Sequence, residues 1–306
     1  MSRPRTRLEP PPANGSTPNR CLIKLRGLRH TLRSAERKVA NAILARPDEM
    51  AEIGIVELAA RAGASEATVS RLSRKLGFAG FSELKASFTE EGGGVCYRDI
   101  ALSDPPETVV RKVFANSVQA LHDTLDTLDL DQCRRAVEAM LGAARLGFYG
   151  LGNAAVVARE AYQKFLRIGV PAFTAEDPDV QALILSTQLK RGDAWVAISH
   201  SGESLPVIAA AGLARQRGIR VVVITNFPRS TLARAADIVL TTAAFQEHVN
   251  GEVGAKRLAQ LCVLESLYVC YLLRRGSRAR ASLRESSAAL ARNKTRTHSN
   301  TTASYS

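Results

Sequence analysis

The sequence predicts an α + α/β protein: an all-helical N-terminal domain, then an α/β domain built on a doubly wound parallel sheet. Three observations carry this. Apolar residues recur at helical spacing through residues 22–88. From residue 146 to 241, short apolar runs instead alternate with helix-compatible segments, the pattern of a parallel sheet covered on both faces. Between the two, Glu91-Gly92-Gly93-Gly94 and Asp104-Pro105-Pro106 mark a change of composition, and so a linker.

At 306 residues the chain has room for two domains of ordinary size. Its 45% hydrophobic and 23% charged residues are those of a soluble globular protein. No apolar run approaches the ~18 residues of a membrane span, since Glu265 and Ser266 interrupt the longest. The Arg- and Pro-rich start has no apolar core behind it, which argues against a secretory signal. Five cysteines (Cys21, Cys96, Cys133, Cys262, Cys270) are scattered without metal-ligand spacing. Neither a metal nor a cofactor is expected, and reduced thiols fit a cytoplasmic location. Cys262 and Cys270 sit in an apolar helical run and read as core. The net charge of +13 points to a polyanionic partner, most simply nucleic acid.

Residues 1–20 have little to bury and are expected to be disordered. Residues 21–91 form the helical domain. Ser34 precedes a helix with Val39, Ala40, Ile43 and Leu44 on one face, closed by Pro47. A second helix carries Ile55, Leu58, Ala59 and Ala62 and stops at Gly63. After the turn Gly63-Ala64-Ser65, a third helix is capped by Ser65, turns Val69, Leu72 and Leu76 inward, and stops at Gly77. A fourth carries Phe81, Leu84 and Phe88 inward.

Helix, glycine turn, helix is the form of a helix-turn-helix unit. Glu66, Thr68, Ser70, Arg71, Arg74 and Lys75 are expected on the outer face of the third helix. Such a face in isolation equally suits solvent. With the turn and the basic balance it suits a major groove, hydroxyls near the helix start reaching base edges and later cations reaching phosphates. The candidate DNA-binding residues are Ser65, Thr68, Ser70, Arg71, Arg74 and Lys75, with Lys85 a further phosphate contact.

Residues 92–106 are the linker and 107–275 the second domain. Helices are expected at about 107–125, from Asp129 or Asp131 to 143, and then at about 154–168, 179–189, 205–217, 231–236 and 253–273. Strands are expected at 146–149, 171–174, 195–199, 221–225 and 238–241. Residues 276–306 read as a basic disordered tail.

Two loops in this domain suit an anion. Ala194-Trp195-Val196-Ala197-Ile198 runs into Ser199-His200-Ser201-Gly202-Glu203-Ser204, after which a helix starts. The hydroxyls of Ser199, Ser201 and Ser204 can donate hydrogen bonds, Gly202 lets the backbone approach, and the helix N-terminus adds N–H groups and a positive dipole end. An ordinary strand–turn–helix with serine caps is the plain alternative. The second loop, Gly150-Leu151-Gly152-Asn153-Ala154-Ala155, also follows a strand and opens a helix, and two such loops imply one crevice at the carboxyl ends of the strands.

These segments resemble the RpiR/MurR-type bacterial transcriptional regulators, in which a helix-turn-helix bundle precedes a sugar isomerase (SIS) domain of flavodoxin-like fold. The likeness runs through Ser34-Ala35-Glu36-Arg37-Lys38-Val39-Ala40, Ala64-Ser65-Glu66-Ala67-Thr68-Val69-Ser70-Arg71 and Gly77-Phe78-Ala79-Gly80-Phe81-Ser82-Glu83-Leu84-Lys85. In the second domain it runs through 197–204, Val223-Ile224-Thr225-Asn226, Ser230-Thr231-Leu232-Ala233 and Arg257-Leu258-Ala259-Gln260-Leu261. The resemblance covers roughly residues 24–275. It implies operator DNA and a phosphorylated sugar effector as partners, a homodimer or homotetramer reading two half-sites, and no enzymatic activity. It assigns the ligand contacts to Ser199, His200, Ser201, Gly202 and Ser204, with Gly152 and Asn153 on the other wall. Where many SIS domains place serine in Gly-x-Gly-x-Ser, this chain has Ala154, so one donor is missing. A hydrogen bond to a charged group is worth roughly 1.5–3 kcal/mol, enough to bear on ligand choice.

The rival class is a sugar-phosphate isomerase with an accessory helical domain. It needs a base near a carbon-bound proton, for which Glu203, His248 and Glu252 are the candidates; the last two also read as a solvated loop pair. Gly150-x-Gly152 with Ala155 admits a dinucleotide site, but no clear acidic residue ends the next strand. A purely structural DNA binder would have no use for two ligand loops.

Overall fold

The computed structural model describes residues 18–88, 100–245 and 254–293. The chain forms two compact units, Met1–Cys96 and Tyr97–Ser306. Among the described residues no helix is long and apolar enough to cross a membrane.

The first unit contains α1 (Pro18–Leu28), α2 (Ser34–Ala45), α3 (Ile55–Ala62), α4 (Glu66–Lys75) and α5 (Phe81–Ala86), with 3-10 turns at Arg29–Thr31 and Pro47–Ala51. Helix α1 begins inside the segment expected to be disordered. Its burial of Cys21, Leu22, Leu25 and Leu28 supplies the apolar surface that orders it. Burial also pushes the Cys21 thiol up to about 12, so it stays protonated. The core of this unit joins these residues to Val39, Ile43, Met50, Leu58, Val69, Leu72 and Leu84. Ser34 is the first residue of α2 rather than its cap. The Arg33 backbone N–H donates to Glu36 Oε2 at 3.1 Å and closes that end. Gly63 caps α3 with φ +56°, a left-handed conformation that a side chain would strain.

The second unit runs α6 (Pro106–Thr127), α7 (Leu130–Gly142), β1 (Leu146–Tyr149), α8 (Asn153–Arg167), β2 (Ala172–Thr174), α9 (Pro178–Leu183), β3 (Ala194–Ile198), α10 (Leu205–Gln216), β4 (Arg220–Thr225), α11 (Thr231–Arg234), β5 (Ile238–Thr241), α12 (Lys256–Arg275) and α13 (Ser277–Ala291). After α9 a π turn covers Ile184–Gln188. All strand pairs are parallel, in the order β2-β1-β3-β4-β5. In-register pairs such as Phe148 with Val196 and Val196 with Val222 keep one face continuous. Phe148, Val196, Ile198, Val222 and Ile224 form that face with Phe165, Leu264 and Tyr271. Tyr149, Trp195, Ala197, Val221 and Val223 form the other with Val207 and Ala211. Period-two alternation therefore feeds two cores at once. The buried Asp193 carboxylate accepts the Arg145 and Lys190 N–H groups, each at 3.0 Å, and ties the entries of β1 and β3 together.

Three further sequence expectations need correction. The tail expected from 276 on is ordered as helix α13, because Ala279 is buried, Leu283 packs on the core and Ser287 accepts a hydrogen bond from Arg167 at 3.3 Å. The 1–20 segment gives up Pro18, Asn19 and Arg20 to α1. Cys262 and Cys270 are exposed, since α12 turns Val263, Leu264, Leu267 and Tyr271 inward instead. Residues 1–17, much of the linker (89–99) and 294–306 lie outside the described residues.

Candidate functional site

Helix α4 begins where Ser65 Oγ accepts the Thr68 N–H at 3.3 Å. Ala67, Ser70, Arg71 and Arg74 follow at spacings that share one face, and Ala67, Arg71 and Arg74 are exposed with Ser70 half-buried. Ser65 and Glu66 are exposed at its start. Two expected members of this face are placed otherwise. Thr68 is buried, and its hydroxyl lies 2.9 Å from Ser65 Oγ while accepting from Arg71 at 2.8 Å. It lies four residues before Leu72, so it belongs to the inward stripe and orients Arg71 instead of meeting a base. Lys75 Nζ bonds Glu36 Oε2 of α2 at 2.6 Å, a contact within the fold. Lys85 likewise donates to the Glu52 carbonyl at 3.0 Å. Ala67 is the position that sequence reading missed. Its methyl group suits apolar contact with thymine, and its spacing from Ser70 and Arg74 was the available signal.

Glu36 is buried, which pushes its carboxyl up, but the Lys75 ammonium and the Arg33 N–H outweigh burial and hold it below the usual carboxylate range. A depressed carboxylate stabilises the fold above its ordinary value of 4.5 and loses that contribution as pH falls through the folded value. Lys75→Ala should therefore cost about 1–2 kcal/mol at neutral pH. It should also flatten the acid limb of a stability-against-pH curve measured by urea unfolding. An unchanged midpoint would show that the lysine is not engaged in the fold.

The second site lies at the carboxyl ends of β1 and β3, the point where the strand order reverses direction. A cleft of about 360 Å³ opens there, lined by Asn153 and Ala154 of α8, Ser199, His200, Ser201 and Ser204 of the loop after β3, and Lys256 and Gln260 of α12. That volume is in the usual range for small-molecule sites. Gly152 and Gly202 shape the two loops without lining the cleft.

The loop after β3 is held by its own hydrogen bonds. Ser199 Oγ accepts the Gly202 N–H at 3.1 Å, and Ser201 Oγ accepts the Glu203 N–H at 3.3 Å. The His200 carbonyl accepts from the Asn226 N–H and the Thr225 hydroxyl, each at 3.1 Å. Asn226 is fixed in turn by Ala244 and Thr242. Both serine oxygens thus act as acceptors inside the loop, which leaves each hydroxyl proton free to donate. The Gly202 N–H, by contrast, is already spent on Ser199. Ser204 precedes α10 without a side-chain cap bond, and the first turn of that 12-residue helix faces the same end of the sheet.

Gly202 has φ +66°, and a Cβ there would overlap the Ser230 side chain. Gly202→Ala should lower stability by about 3 kcal/mol or more through left-handed strain and overlap. A thermal melt unchanged by the substitution would contradict this geometry.

His200 has its imidazole pKa lowered to about 4, first by burial and then by the nearby positive charge of Lys256. The ring is therefore neutral at physiological pH. Its Nδ1 and the Gln260 Nε2 are both buried without a partner among the described residues. Neither Lys256 nor Gln260 figured among the expected ligand residues. Glu203, a candidate base, accepts the Thr231 N–H at 2.9 Å and its carboxyl is held low by that bond. His248 and Glu252 lie outside the described residues.

Comparison with known proteins matches a known domain to each of the two units. Residues 20–92 match the model of the helix-turn-helix domain of the rpiR family, and residues 140–270 match the SIS domain. An uncharacterised HTH-type transcriptional regulator of Thermotoga maritima is 35% identical over 240 residues, covering 77% of this chain and 85% of its own length. The HTH-type transcriptional regulator HexR of Escherichia coli is 32% identical over 272 residues, covering 88% and 93%. Among solved structures, the Vibrio vulnificus NanR protein complexed with ManNAc-6P aligns with a TM-score of 0.57 at 27% identity, over 90% of this chain and 99% of that one.

Proposed function

The chain belongs to the rpiR family of helix-turn-helix transcriptional regulators, and from that premise we propose that a phosphorylated sugar seated in the cleft sets how α4 grips operator DNA. The observation that carries the proposal is the make-up of the cleft. Three serine hydroxyls, a helix start and Lys256 gather where one anion would sit. The unpartnered Gln260 Nε2 and His200 Nδ1 stand beside them. A buried polar atom left without a partner costs about 1–3 kcal/mol, so a polar ligand or bound water belongs there. Ala154 withholds a hydroxyl on the α8 side, and Lys256 and Gln260 supply donors from the α12 side.

The proposed role is sensing, not turnover. Glu203 is committed to α11, its carboxylate accepting the Thr231 N–H, and the pKa of about 4 that burial gives His200 makes it too weak a base to match the carbon-bound proton that isomerisation must remove. The protein acts in the cytoplasm as a homodimer or homotetramer, because a paired operator requires two recognition helices about one helical turn apart.

Calorimetric titration tests the ligand class. Hexose 6-phosphates should bind and the corresponding free hexoses should not. Affinity should fall below pH ~6 as the phosphate dianion takes up a proton, with no compensating gain from His200, which stays neutral there. Equal binding of free and phosphorylated sugars would refute an anion site.

A further inference from the structure

Helix α6 is inside out. The side turned to the fold is polar or small: Asn116, Asp123 and Thr124 are buried there, and Ala120 packs on Ala244, Ala255 and Ala259. Thr124 Oγ1 accepts the Ala243 N–H at 2.9 Å, and Gln119 Nε2 donates to Asp123 Oδ1 at 2.6 Å. The side turned away is apolar. Val110 (56% exposed), Phe114 (69%), Val118 (52%) and Leu125 (63%) stand in the open, with half-buried Leu121 between the last two. Steps of four, four, three and four residues put all five on one stripe, about 22 Å long at roughly 1.5 Å per residue. A folded chain left alone arranges these two sides the other way round, and a contiguous exposed apolar patch marks an interaction surface.

The geometry points to a second copy of this chain as the occupant: two α6 helices lie antiparallel, stripe to stripe, about a two-fold axis at Val118. Such a contact needs a surface that fits itself. In this register Val110 meets Leu125 of the second copy, Phe114 meets its Leu121, and Val118 meets its counterpart. Every layer is then apolar, and no polar side chain is trapped. The charges agree. Arg111, Ala115, His122 and Asp126 run along one edge of the stripe, all exposed. Neither Arg111 nor Asp126 has an ion-pair partner among the described residues. The two-fold sets this edge against itself in reverse order, so Arg111 faces Asp126 of the second copy, twice over, and His122 faces Ala115. A parallel pair would set it against the uncharged edge of Val113 and Ser117 instead. Glu107 continues the stripe by one turn but falls past the end of the second copy's α6 in this register. A lipid surface would want cations along the stripe, where this edge carries one charge of each sign.

The contact involves the second unit alone. It gives a surface to the oligomer of the regulator reading, and it does not rest on DNA binding. Sedimentation equilibrium of the full chain, over a dilution series without DNA, tests it. The wild type should sediment as a pair or a multiple of one. Phe114→Glu should weaken self-association at least about a hundredfold, since a buried aromatic anchor is lost at two symmetric places, while Phe114→Leu should keep it. Arg111→Glu and Asp126→Arg should each weaken it by about 4- to 25-fold, which is two- to fivefold for each of two symmetric exposed pairs. The double variant should restore the wild-type constant. That rescue depends on the antiparallel register, and lost folding would not give it. A paired wild type whose association Phe114→Glu leaves unchanged overturns the inference and leaves the regulator reading standing. Failure of the double variant to recover overturns the antiparallel arrangement. A wild type that stays monomeric at every concentration overturns the inference together with the homo-oligomer proposed above.

Discussion

Arg71→Ala should weaken operator binding by about 5- to 150-fold while random duplex binding falls only a few-fold, so that sequence preference relaxes. Arg71 is exposed on α4 and held by the Thr68 hydroxyl at 2.8 Å, which is in turn 2.9 Å from Ser65 Oγ. This relay starts at the N-cap and aims a fork of donors outward, the geometry that reads guanine O6 and N7. Arg74, one turn further on, is exposed, and a phosphate contact is expected of it. Its loss should weaken all sequences alike and lower the salt slope by roughly one. Competition binding with labelled operator and random DNA measures both effects. Equal losses on both duplexes for Arg71→Ala would remove the base-reading role.

Lys256→Met should reduce affinity for a sugar phosphate by about 10- to 150-fold, the worth of one hydrogen bond to a charged group. Operator binding without ligand should be unaffected. Ser201→Ala should have an effect of the same order, because its hydroxyl proton is unspent within the loop. Lys256→Met has a second consequence that a mere loss of folding would not give. The positive charge helps to hold the His200 imidazole near 4, so the variant should raise that pKa, while burial keeps it below the ordinary 6.5. Proton NMR of the ring across an acid titration reads this directly. Unchanged ligand affinity in both variants would move the ligand away from this cleft.

The central strands β1, β3 and β4 could be read from the sequence because each is an apolar run too short for a helix, bounded by loop residues and buried on both faces. The serine loop was legible for the same reason in reverse, small hydroxyl residues and a glycine standing where an apolar run stops. Thr68 was misplaced because its hydroxyl suggested a polar partner, although its spacing from Leu72 put it inside. Chemistry and periodicity conflicted there, and periodicity governed. Lys256 carries no local signal, and Gln260, though inside the segment 257–261 that resembles the family, had none that pointed to a ligand. They reach the cleft only because α12 starts at the same end of the sheet as the loops after β1 and β3, a consequence of topology. Helix α13 was hidden by composition. Its inner stripe of Ala279, Ser282 and Ser286 is too small and polar to register as hydrophobic, yet α8 and α12 present a surface that such residues fit.

The most direct measurement of the central claim is a titration of fragments around the chain's own gene with the intact protein at fixed salt, with and without a pool of sugar phosphates. Binding to one fragment should be at least about a thousandfold tighter than to random DNA, shifted by one member of the pool and indifferent to its unphosphorylated form. Binding no tighter than to random DNA, together with consumption of a pool member, would contradict it and make the second unit an enzyme.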